Sequence, residues 1–99
     1  MNTSTIQDTP ATHSAIDLIV GAPAAARAAF VSESSLYAAI QRDEFVPPVK
    51  LGRKRSAWPA NEIAAIVAAH VRGDTIEAIK ALVVRLVEAR KSFGLEVAK

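Results

Sequence analysis

A cationic turn preceded by two prolines constrains this chain more than any other stretch. Residues 45–58 read FVPPVKLGRKRSAW. Pro47 and Pro48 exclude helix there, because proline has no N–H to donate and drives the residue before it towards extended geometry. Two short extended runs follow, Val49-Lys50-Leu51 and Ser56-Ala57-Trp58, joined by Gly52-Arg53-Lys54-Arg55. Alternation along the first run puts Val49 and Leu51 on one face and Lys50 on the other. Gly52 supplies the backbone freedom of a tight turn. These residues predict a β-hairpin with an apolar root and a cationic tip. Lys50, Arg53, Lys54 and Arg55 place four of the twelve Lys and Arg residues within six positions. Helical sequence lies on both sides, so the expected class is mainly α with a small β-hairpin. A basic hairpin among small helices suggests a wing that grips a nucleic-acid backbone.

With 99 residues the chain has room for one small domain plus tails. A compact part of ~60–80 residues is near the lower limit for a self-sufficient core. Alanine supplies much of the apolar fraction and buries little area, so the core must be thin. A net charge of +2 means little if spread evenly; its clustering in the hairpin is what points to nucleic acid. The absence of cysteine excludes disulfides, thiol catalysis and cysteine-ligated zinc, and suits a reducing cytosol. The N-terminus lacks a basic segment followed by an apolar core, and no uncharged apolar run approaches ~20 residues. Neither a secretory signal nor a membrane contact is therefore expected.

In chain order, residues 1–15 are rich in Ser and Thr without apolar periodicity and predict a disordered tail. His13 lies there without partner residues, so it gives no metal site. The apolar run 16–20 is a first strand or an extended lead-in, broken by Gly21. Pro23 suits the first helical position, and a short helix is expected over 23–29. Phe30 and Val31 connect it to a second helix, capped by Ser32 and running to about Arg42. Leu36 and Ile40 share one face with Tyr37 beside them; Ser34, Ser35, Ala38, Gln41 and Arg42 occupy the other. Two short helices so joined have the outline of a helix-turn-helix.

After the hairpin, Pro59 marks where a third helix begins, with Glu62 complementing its dipole. Ile63, Ile66, Val67, His70 and Val71 recur at helical spacing as a buried stripe, His70 being a core-edge histidine held by a backbone group. Gly73 ends that helix. The domain is thus expected over 16–73. Asp74 and Glu77 have capping-box spacing, and a last helix is expected from Thr75 to about Lys91, within a segment 74–92. Ile76, Ile79, Val83 and Leu86 follow a 3-4-3 spacing, widened by Leu82 and Val87. Two readings of this stripe stay open: packing against the domain, or a helix contact that makes a homodimer. Arg85, Arg90 and Lys91 are read as solvated or as suiting the helix C-terminus. Residues 93–99 are expected as a frayed tail.

The series short helix, Val31-Ser32-Glu33-Ser34-Ser35-Leu36-Tyr37, Phe45, Pro48-Val49-Lys50-Leu51-Gly52-Arg53 and then Trp58 before a helix resembles the AlpA-type phage and prophage regulators. These are small winged helix-turn-helix proteins related to excisionases and to the MerR DNA-binding domain. The resemblance covers about 17–72, and Pro-Val-Lys-Leu-Gly with the later Trp is its most specific part. It implies a second helix in the major groove and a wing on the backbone or minor groove. Three positions depart from the family pattern. Phe30 stands where Gly is usual before the Leu/Val-Ser pair, and Glu33 and Ala38 stand where basic residues are common.

The expected partner is double-stranded DNA. Lys50, Arg53, Lys54 and Arg55 on the wing, with Arg42 at the helix end, would contact phosphates. Ser34, Ser35 and Gln41, beside the cap residue Ser32, would hydrogen-bond base edges, and Ala38 would touch a thymine methyl. Tyr37 is read as core in preference to a phosphate contact, and Trp58 as the plug joining wing to core. The resemblance implies a transcriptional regulator or an excisionase-like directionality factor of a mobile element, cytoplasmic and nucleoid-associated, with an integrase or RNA polymerase as further partner. A protein-interaction module is the alternative from another class. Catalysis is not expected, since no Gly-rich phosphate loop, no metal-ligand spacing and no nucleophile–base pairing occurs. No cofactor and no metal are called for.

Overall fold

The computed structural model describes residues 17–97, so the expected tail 1–15 and His13 lie outside it. Leu18–Val20 forms strand β1, so the last three residues of the apolar run before Gly21 are a strand. β2 is Val49–Leu51 and β3 is Arg55–Pro59. Both β1 and β2 run antiparallel to β3, giving the order β1-β3-β2. The hairpin is therefore part of a three-stranded sheet, with Ile19 opposite Trp58 and Lys50 opposite Ser56. Two backbone bonds fasten β1 beyond its ladder: Gly21 N–H to the Ser56 carbonyl at 2.9 Å, and Ala60 N–H to the Asp17 carbonyl at 2.7 Å. A central strand is covered on both edges, and here Ala57 and Trp58 of β3 are fully buried. The turn is one residue shorter than expected, because Arg55 already pairs with Leu51. Gly52 takes φ +82° in open space, so its role is backbone freedom and not close approach.

The helices are α1 (Ala22–Ala28), α2 (Glu33–Gln41), α3 (Ala60–Arg72) and α4 (Ile76–Val97). The first three end in the same closure. Val31 N–H reaches the Ala26 carbonyl and Phe30 N–H that of Arg27; Glu44 and Asp43 do the same to Ala39 and Ile40, and Asp74 and Gly73 to Ala69 and His70. This paired bonding satisfies carbonyls that a helix end otherwise leaves free, and it needs one left-handed residue. Gly73 meets that need at φ +83°, whereas Phe30 and Asp43 adopt φ +63° with a side chain present. Aspartate tolerates this region; for a bulky aromatic it is an outlier.

Ser32 caps α2 as expected, its hydroxyl accepting from Ser35 N–H at 3.1 Å. The expected capping box at Asp74 does not form. Asp74 is engaged in the closure of α3 and pairs with Arg72 at 2.9 Å, so α4 starts one residue later, with the Thr75 hydroxyl accepting from Ala78 N–H. The helix also runs past Lys91 to Val97, where a frayed tail was expected. Gly94 costs an established helix only about 1 kcal/mol, too little to stop it.

Trp58, Leu36, Ile63, Ile66 and Val46 fill the centre with Phe45, Ala25, Ala26 and Val83. Ile79 is buried too, while Leu82, Leu86 and Val87 pack against the core from its edge. Ile79 and Val83 are thus covered by their own chain, the packing alternative for that stripe, and Ile76 is left half exposed. Two expectations for α3 are overturned. His70 is exposed, and Val71 is 81% exposed, with Ala69 in the core in their place. The buried face runs Glu62, Ile63, Ile66 and Ala69, rotated from the expected stripe because β3 and α4 both pack on this helix. Among the described residues no helix is long and apolar enough to cross a membrane.

Candidate nucleic-acid interface

The hairpin's position follows from how its root is held. Phe45 and Val46 enter the core directly after α2, and the Trp58 ring from β3 fills the space beside them. Its indole Nε1–H donates to the Val46 carbonyl at 3.1 Å. A buried ring that also satisfies its one polar atom is a plug with a fixed orientation, as the sequence suggested for Trp58.

The tip has the opposite character. Arg53, Lys54 and Arg55 are exposed, and none pairs with a carboxylate among the described residues. Lys50 is exposed as well and extends across the hairpin to donate to the Ser56 hydroxyl at 3.0 Å. That contact steadies the lysine stem without neutralising its charge. Three consecutive cations, Arg53 and Lys54 on the turn and Arg55 opening β3, with Lys50 opposite on β2, make a concentrated positive potential.

α2 carries the other half of the expected interface. Leu36 anchors it in the core. Ser34, Ser35, Ala38, Gln41 and Arg42 are all exposed, as is Ser32 at the cap. The Ser32 hydroxyl donates to Ser35 Oγ at 3.0 Å and lies 3.3 Å from Ser34 Oγ, so the three hydroxyls form one cluster at the start of the helix. Arg42 Nε donates to Glu44 Oε1 at 3.2 Å. An exposed pair of this kind is weak, and a phosphate could compete for the guanidinium. Tyr37 is half exposed, which corrects its placement in the core and leaves it accessible for a polar contact. The residue spacing had put it beside Leu36, but α2 faces the core with Leu36 and, at the edge, Ala39 and Ile40, and Tyr37 falls off that face.

One shallow cavity of about 200 Å³ lies between the α1–α2 turn, α2 and α3, bordered by Val31, Leu36, Phe45, Ile66, Arg42 and His70. Among the described residues no group of three His, Asp or Glu is placed to hold a metal ion. Arg72 is raised above its ordinary pKa by the hydrogen bond and then the charge of Asp74.

An ion pair missed in the sequence completes the site's support. Glu62, only 4% exposed, receives Arg90 Nη2 at 2.6 Å and Nε at 3.0 Å. Arg90 is thereby withdrawn from the solvated role expected of it. The signal was present: Ile79, Val83, Leu86 and Arg90 continue one apolar spacing, so a charge at its end faces the domain. Comparison of the chain with protein-family models, curated proteins and solved structures finds no match.

Proposed function

We propose that this protein binds double-stranded DNA sequence-specifically through a winged helix-turn-helix, as a small regulator of the AlpA type. The observation that carries the proposal is the wing: three consecutive cations that pair with no carboxylate among the described residues, and Lys50, on a short hairpin whose root is anchored by a buried tryptophan. Solvated loops place charges without fixing them. Here Lys50 and Arg55 sit on strands that pair with each other and close a three-residue turn carrying Arg53 and Lys54, so the ordering cost on binding phosphates is reduced. In this reading α1 and α2 are the helix-turn-helix, α2 enters the major groove, and its hydroxyls, Gln41 and Ala38 meet the base edges. Phosphate contacts from the wing give affinity and register, while α2 gives discrimination.

The test compares binding to the DNA upstream of the protein's own gene with binding to random DNA, at two salt concentrations. The variant Lys50→Ala/Arg53→Ala/Lys54→Ala should bind every sequence more weakly and flatten the dependence of log K on log salt by about 2–3. Wild-type affinity in that variant would remove the wing from the mechanism. One observation favours a protein contact besides DNA: Phe30 is 81% exposed, with Val31 half exposed beside it. If the protein binds neither DNA, a protein-interaction module becomes the leading function.

A further inference from the structure

The guanidinium of Arg90 does more than neutralise Glu62. Its Nη2 also donates to the carbonyl of Pro47 at 2.9 Å. One side chain of α4 therefore joins three elements: its own helix, the first turn of α3, and the segment between α2 and β2. The neighbouring carbonyl, Val46, is taken by the Trp58 indole from β3. Two successive carbonyls in the segment leading to the wing are thus each held by a side chain distant in sequence. The prolines explain why side chains are needed. Pro47 and Pro48 have no N–H, so this segment cannot be fixed by donating into a ladder or helix.

Stability alone does not account for the ion pair. Glu62 is taken from water while the Arg90 side chain stays 23% exposed; burying a charge costs several kcal/mol, and apolar replacements of buried pairs are often neutral or stabilising. What an apolar pair cannot supply is direction. The fork of Arg90 grips the Glu62 carboxylate bidentately and so aims Nη2 at Pro47.

We infer that Arg90, held by Glu62, is a positioning residue for the wing: from α4 it sets the hairpin's angle to α2. Its effect on DNA rests on the function proposed above; its effect on the wing does not. The chain has no cysteine, so Glu33→Cys on α2 and Lys54→Cys at the tip can carry a pair of spin labels. The parent should give one narrow distance distribution. Glu62→Met/Arg90→Met should retain or raise Tm while the distribution broadens or shifts. In unlabelled protein the same double substitution should weaken DNA binding about tenfold with the native wing, and less than about twofold when Lys50, Arg53 and Lys54 are already alanine. Arg90→Lys, which keeps the charge and loses the fork, should fall between and serves if the double variant does not fold. An unchanged distance distribution would overturn the inference, as would equal losses with native and neutral wings. If the parent binds no DNA, the functional proposal fails, while the distances still decide the role of Arg90.

Discussion

The root and the tip of the hairpin, Trp58 and Arg55, are separated by two residues of β3 and built on opposite terms. At Arg55 the strand is exposed; at Trp58 it is wholly buried. The root binds its own chain through the plugged Trp58, the β1 ladder and two side-chain bonds to the carbonyls of Val46 and Pro47. The tip has charges and, among the described residues, no carboxylate partner. Changes at the root should therefore be read in stability and geometry, and changes at the tip in binding to an external anion. Hairpins whose tips served only to close a turn would not need three adjacent cations, since like charges there repel.

The sharpest way to break this contrast is Trp58→Ala. It removes the largest fully buried side chain and leaves the Val46 carbonyl unpaired, so it should cost about 3–5 kcal/mol in urea denaturation. A loss below about 1 kcal/mol would mean that the root does not depend on its plug. A smaller effect separates the turns. Phe30→Gly relieves a left-handed aromatic and should gain up to about 1 kcal/mol, and Asp43→Gly should gain less because aspartate tolerates that geometry. Equal gains would show that side-chain type does not set the strain. Smallest of all, Lys54→Ala should change stability by less than about 0.5 kcal/mol while lowering the salt slope by about 1. A large stability change there would place the tip among the structural elements.

Much of this arrangement was legible beforehand. The prolines with Gly52 announced the hairpin, Ser32 announced the start of α2, and Gly73 announced the end of α3, because each acts through its own backbone. Phe30 was legible as a departure from a familiar pattern, at a site where the structure does require positive φ. The burial assignments that depended on neighbours fared less well. His70, Val71 and Tyr37 occupy apolar spacings yet face outwards, since helical periodicity gives a face without saying which partners exist to cover it.

Sequence by itself determined the local punctuation of the first three helices and the clustering of the charge: where α1 to α3 begin and stop, where the chain must be extended, and which residues carry the cations. Those properties depend on a residue and its near neighbours, through proline's missing N–H, glycine's freedom and the alternation of a strand. Tertiary structure alone decided that β1 closes the sheet against β3, that α4 gives Ile79 and Val83 to the core, and that Arg90 reaches Glu62 and the Pro47 carbonyl. Those partners are distant along the chain, and only the fold brings their directional groups within hydrogen-bonding reach.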